Sequence, residues 1–291
     1  MSVEPRENRT GAGVLTMAFA VVLFSCIDTS AKWLAISGLP VIQIVFMRYA
    51  GALFYSSLWY LPREGIDAFR SNAPKRQFLR SGFLFTSTVL NFTALKSLSL
   101  SLVVSIQFAQ PMVISLIAIP LLGERVGPRR MAAIFVGFLG VLIVVQPWGA
   151  AFHPAIFFSL GALILASLYF AMTRLLAGVE SSATQQIWAN AMATICLAPF
   201  AFAVWQWPET PMQWIIVLAI GGFGGGGHIA ATIAHRWADA SIIAPIIYLQ
   251  LFLATFWGAV VFASWPTIWT LVGGLIIIGS GLYIWHRERT R

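Results

Sequence analysis

Residues 92 to 111, FTALKSLSLSLVVSIQFAQP, decide the reading of this chain, because a distorted copy of them, TIAHRWADASIIAPIIYLQL, returns at residues 232 to 251. With a constant shift of 140, Ala94 falls on Ala234, Lys96 on Arg236, Ser101 on Ser241, Ile106 on Ile246, Phe108 on Tyr248 and Gln110 on Gln250. A shift of 142 brings Ser25 onto Ser167, Lys32 onto Arg174 and Gln43 onto Gln185. Two related halves are implied. Self-similarity at half the length of a strongly apolar chain marks membrane transporters built from structural repeats.

Composition fixes the class. Hydrophobic residues make up 59% of the chain and charged ones 10%, far below the roughly 25% charged residues of an average soluble domain. An all-α integral membrane protein is expected, since spans of about 20 apolar residues match a hydrocarbon core of about 30 Å. The roughly 10-residue alternating segments of a membrane barrel are not visible. The net charge of +8 is spread along the chain rather than clustered on a soluble domain, so it argues for topology rather than for a nucleic-acid partner. Cys26 and Cys196 both fall inside spans without metal-ligand spacing, so neither a disulfide framework nor a metal site is expected.

Ten spans are expected, as two inverted five-helix repeats. A polar tail at residues 1 to 12 precedes the first repeat at 13 to 147. The second repeat covers 155 to 285, and residues 286 to 291 form a second tail. If the amino terminus is cytoplasmic, fifteen of the eighteen Lys and Arg lie in or beside cytoplasmic segments, leaving Lys32, Arg48 and Lys96 within spans. The outer connections then carry no Lys or Arg, a positive-inside signal that puts both termini in the cytoplasm. Trp148, Trp205, Trp207, Trp265 and Trp285 sit near span ends, as an interfacial belt requires. Five spans per half is an odd number, so the second half threads the bilayer in the opposite sense to the first. In such repeats substrate sits at their interface near the midplane.

These motifs resemble those of the EamA family of the drug/metabolite transporter superfamily. Arg48 stands in span two, Phe92 to Lys96 form the aromatic-x-Ala-Leu-Lys end of span three, and Pro111 lies in span four. Gly123 to Arg125 supply Gly-Glu-Arg before a span five carrying Gly137 and Gly140. The second half departs from the pattern, with Leu251 where a Pro is expected and Ala263 with Ser264 where Gly-Glu is usual. Within the family, the size, the basic inner loop and the aromatic-rich spans look like the aromatic amino-acid exporters of YddG type. The resemblance implies a secondary transporter in the bacterial inner membrane that exports a small amphipathic metabolite by alternating access. Aromatic or other apolar amino acids lead as substrate; a sugar phosphate, nucleotide sugar or cationic drug is the alternative. The expected partners are that substrate and the bilayer, with no cofactor, no metal and no nucleic acid, and a monomer is a sufficient unit.

Gln110 and Gln250 each lie about nine residues into their spans, which at roughly 1.5 Å per residue is mid-bilayer, and an amide cannot be left unpaired there. The plain reading is an interhelical bond; the functional one is substrate contact, with Gln107 and Asn91 as lesser candidates. Asp28 precedes Lys32 by four residues on one helix face, and antiparallel pairing of spans one and two sets it level with Arg48. A structural ion pair closing those spans is expected, with a surplus of positive charge available for a substrate carboxylate or a gate. The run Gly221 to His228, GGFGGGGH, reads as close helix packing or as a widened cavity wall into which His228 projects. Tyr169, Phe108 and Tyr248 are candidates for an aromatic-accepting pocket.

A membrane enzyme is the first rival class. The four His residues are scattered and no paired intramembrane carboxylates or phosphate loop is present, so the elements of acid-base, nucleophilic or metal chemistry are missing. A channel would assemble a pore from rings of like groups, whereas internal repeats complete an alternating-access unit within one chain.

Overall fold

The computed structural model describes residues 9–123, 126–149, 152–176 and 178–289. Glu124 and Arg125 of the Gly-Glu-Arg motif, most of the first tail and the last two residues of the second lie outside the described residues. Regular structure among those described is wholly helical: α1 (Thr10–Ile36), α2 (Val41–Glu64), α3 (Pro74–Ser97), α4 (Leu100–Gln107), α5 (Gln110–Leu122), α6 (Pro128–Val145), α7 (Ile156–Leu175), α8 (Ser182–Ala203), α9 (Pro211–Trp237), α10 (Ala240–Ile243), α11 (Leu249–Phe262) and α12 (Ile268–Arg289), with 3-10 turns at Gly65–Phe69 and Ala244–Tyr248.

Local chemistry sets the helix starts. Thr210 and Gln213 form a reciprocal capping box on α9, and Ser99 and Ser181 accept from the first turns of α4 and α8. Each satisfies an amide that has no partner within its own helix. Proline opens α3, α6 and α9, where its missing N–H costs nothing.

Among the described residues, nine helices are long and apolar enough to cross a membrane. The difference from the expected ten is α3. Its 24 residues include Lys75, Arg76, Arg80, Thr86, Thr88 and Asn91, and this polar content keeps it below the hydropathy of a free-standing span. It packs against α7 and α8.

Helix pairing carries the symmetry that the sequence repeats imply. α1 packs on α9 as α7 does on α3; α2 meets α9 as α8 meets α3; and α1 meets α11 as α7 meets α5. The pairs α2·α8 and α6·α12 map onto themselves when the halves are exchanged. Because successive spans alternate direction, the connections bearing Arg63, Arg70, Lys75, Arg76, Arg129 and Arg130 share one face, called the basic face below.

Glycines hold the two halves close. A Cβ on Gly51 of α2 would lie 2.8 Å from the Cα of Gly221 on α9, and one on Gly221 would lie 2.5 Å from the Cα of Gly51. Gly225 rests on Ala52 and Tyr55, and Gly227 on Phe24, so the glycine run is a packing surface between α1 and α2 within an unbroken helix. Gly140 and Gly273 do the same for α6 and α12, each facing the other's backbone carbonyl. Backbone contact of this kind replaces the hydrophobic driving force that is absent between helices in lipid. Gly51→Leu is therefore expected to lower stability by about 1 to 3 kcal/mol through overpacking. Thermal unfolding of the detergent-purified protein checks this, with Gly11→Ala, where nothing lies within 4 Å, as the unaffected control.

Candidate functional site

Two spans are broken at matching points. Span four stops at Gln107 and restarts at Gln110, while span nine passes through the Ala244–Tyr248 3-10 turn before α11. Pro111 and Pro245 each lack the N–H that an unbroken α-helix would bond one turn back. Leu251 stands where the family pattern has a Pro, and Pro245 supplies the break six residues earlier. Phe108 and Tyr248, paired by the repeat, meet edge to face with ring centroids 5.1 Å apart. Gly281 gives the Tyr248 hydroxyl its room, since a Cβ there would lie 2.3 Å from that oxygen.

Beside this meeting point lies a cavity of about 290 Å³, lined by Gln107, Phe108, Gln110, Ser115, Arg130, Arg174, Tyr248 and Trp285, among others. The arginines and Trp285 place it toward the basic face. Among the described residues the Gln110 side chain has no hydrogen-bond partner in the protein, so its amide is open to a ligand. Arg130 donates to Ser115 Oγ at 2.7 Å, which fixes one guanidinium on the wall.

Gln250 does not mirror Gln110 there. Its Nε2 donates to Asp28 Oδ2 at 3.2 Å, outside the cavity lining. The reason is winding: the 3-10 turn advances about three residues per turn rather than 3.6, which turns Gln250 away from the position the repeat predicts. Asn91 Nδ2 donates to Asp28 Oδ1 at 3.4 Å, and Gln107 Nε2 donates to Asn91 Oδ1 at 3.5 Å and to the Ser159 carbonyl at 3.2 Å. Gln107 thus belongs both to the cavity and to a polar chain ending at Asp28.

The expected ion pair is absent. Lys32 Nζ donates to the carbonyls of Leu95 at 2.8 Å and Leu98 at 2.7 Å. These acceptors at the end of α3 have no helical partner, and the negative end of the helix dipole adds to the attraction. Phe262 lies under the ammonium at 5.4 Å. Arg48 is 7% exposed and stacks on Tyr49, 4.2 Å from the ring centroid, with Nε and Nη1 unbonded to protein. Neither base bonds Asp28.

His228 stands edge-on to Phe24 at 5.1 Å and is not part of the cavity lining. Tyr169 also lies elsewhere: its hydroxyl accepts from Arg80 Nη2 at 2.9 Å, and Arg80 further donates to Thr173 Oγ1 and the Gln185 carbonyl. Assignment to topology or the interfacial belt hid the buried position of Arg80 and the cavity-lining positions of Arg130, Arg174 and Trp285. The pairing of Lys32 with Arg174 held the available signal.

The EamA-like transporter family pattern matches residues 11–146 and 153–285. A riboflavin transporter of Rhizobium johnstonii is 28% identical over 292 residues, covering 100% of this chain and 96% of that protein. An S-adenosylmethionine uptake transporter of Rickettsia prowazekii is 25% identical over 95% of this chain and 93% of its own length. A crystal structure of another protein superposes with a TM-score of 0.66 at 20% identity, covering 93% of this chain and 95% of that one; at that identity the likeness shows the fold alone. Neither named relative is an aromatic amino-acid exporter of YddG type.

Replacing Lys32 by Met leaves the Leu95 and Leu98 carbonyls without their donor, at about 1 to 3 kcal/mol per buried group. A matching drop in thermal stability is expected, while Lys96→Met, at an exposed position, changes little.

Proposed function

The chain belongs to the EamA-like transporter family, and on that premise we propose that it is a secondary transporter of small aromatic metabolites. Its ten spans would include α3, with both termini in the cytoplasm of a bacterial cell and the monomer as working unit. The observation that carries this reading is the meeting of the two broken spans at Phe108 and Tyr248 beside an open cavity. Interrupted helices at a repeat interface are where carriers of this architecture bind their cargo. An apolar wall with a few placed polar groups is also how small molecules are generally held. Phe108, Tyr248 and Trp285 offer ring faces and edges, Gln107 and Gln110 offer amides, and Arg130 and Arg174 bring positive charge to the mouth.

Riboflavin, transported by one relative, presents an aromatic plane with polar edges and is the first compound to test. Aromatic amino acids form the second reading, favoured by size: about 290 Å³ is at the lower end of the roughly 300 to 1,000 Å³ of ligand pockets. The relatives lend no support to amino acids in particular, and their names point both ways on direction: one is an uptake transporter and another is a pseudopaline exporter. Alternating access follows from the repeat. Lys32 is bound to the end of α3 at one face, while its counterpart Arg174 lines the cavity toward the other. Exchange of these roles would open the opposite side.

Uptake of riboflavin, S-adenosylmethionine, tryptophan, phenylalanine and a sugar phosphate into proteoliposomes tests the reading. Saturable transport of an aromatic compound is expected, and Gln110→Leu should weaken it by about tenfold, the equivalent of one lost hydrogen bond of roughly 1.4 kcal/mol, without loss of thermal stability. Preference for the sugar phosphate, or a Gln110→Leu variant with wild-type affinity, would overturn it.

A further inference from the structure

Asp28 supports an inference that rests on the transporter reading and extends it to the energy source. The acid lies deep in α1, half-buried, and its two oxygens receive only the amide groups of Asn91 and Gln250 among the described residues. The direction of the Asn91 bond is fixed from outside. The Ser159 carbonyl can only accept, so Gln107 must turn its NH₂ toward it and toward Asn91 Oδ1. Asn91 then has only its NH₂ left for Asp28.

The charged and titratable groups on neighbouring elements leave the carboxylate without a bonded counter-ion. Lys32, one turn along α1, is committed to the α3 carbonyls. Arg48 of α2 acts on Asp28 through space but lies on Tyr49. His228 of α9 faces Phe24. From α3, α11 and the 3-10 turn come Asn91, Gln250 and Tyr248, and α10 contributes no titratable side chain. An intramembrane carboxylate in this position is costly and is a functional site by default.

The ligand it suits is a small cation. A hard metal cation takes several oxygen ligands, whereas both amides here present N–H groups to the carboxylate. A proton needs only a carboxylate oxygen. We propose that Asp28 binds and releases the coupling proton of transport. A proton from water adds to Oδ2, giving the neutral acid. Its O–H then donates to Gln250 Oε1 after the amide turns over, and the proton later leaves to water. Gln250 belongs to the second half and Asp28 to the first, so the bond between the halves reverses its direction with each proton. Substrate reaches the same chain through Gln107, which lines the cavity and also holds Asn91. Binding of substrate and proton is thereby linked, and each must shift the other's affinity equally.

The test uses the full chain in lipid and needs no substrate for its first arm. Infrared difference spectra taken as the pH is lowered should show a protonated-carboxyl band that is missing from Asp28→Asn and returns, displaced, in Asp28→Glu. Absence of that band from wild type, or its persistence in folded, monodisperse Asp28→Asn, overturns the proposal. In the second arm, a pH gradient across proteoliposomes should drive riboflavin above its equilibrium level in wild type, and Asp28→Asn should lose all response to the gradient. An Asp28→Asn protein that still concentrates riboflavin with the gradient also overturns it. If wild type carries no riboflavin, the gradient arm is run with whichever aromatic compound it does carry, and if it carries none the substrate reading fails while the infrared result still decides the role of Asp28.

Discussion

Every backbone polar group inside a bilayer must be answered by the protein itself, and much of the structure is arranged around that constraint. Lys32 supplies the donor that two carbonyls at the end of α3 lack. Arg80, 3% exposed, has no carboxylate partner among the described residues and instead donates to Thr173, Gln77, Tyr169 and a backbone carbonyl. On the basic face Glu180 accepts from Ser71 Oγ and the amide of Ala73, tying the α2–α3 connection to the turn before α8. These bonds fix the ends and depths of helices whose apolar surfaces, facing hydrocarbon, distinguish poorly between registers.

Where the constraint is relaxed, function becomes possible. The helical ladder is interrupted in spans four and nine, and non-helical backbone at membrane depth is tolerated only beside protein or a cavity. Here it lies beside both, with the Phe108 and Tyr248 rings in contact and Gln110 open to the cavity. The glycine contacts between α2 and α9 and between α6 and α12 keep the halves close enough for the two breaks to meet. Packing symmetry and site geometry are thus one arrangement.

The fold was largely legible because repeat and hydropathy are properties of the sequence itself. Lys96 on Arg236 and Gln110 on Gln250 gave the two halves, which the helix pairing repeats. The site was only partly legible. Equal depth suggested an Asp28 to Arg48 pair, but depth does not specify direction around a helix, and the free ends of α3 compete for Lys32 while Tyr49 holds Arg48. The repeat placed Gln250 opposite Gln110, yet a 3-10 turn after Pro245 rotated it onto Asp28. Arg130 and Arg174 were read as topology signals, since a charge near a span end looks the same whether it faces headgroups or a cavity.

The central claim is that substrate sits where the broken spans meet. The most direct measurement is the rate of alkylation of Gln110→Cys, in a background with Cys26 and Cys196 replaced by Ser, in inside-out vesicles with and without the transported compound. Saturating substrate should slow alkylation markedly at this position and leave a cysteine at the exposed Leu15 unaffected. Equal rates with and without substrate at Gln110→Cys, in a variant that still binds the compound, would contradict the account.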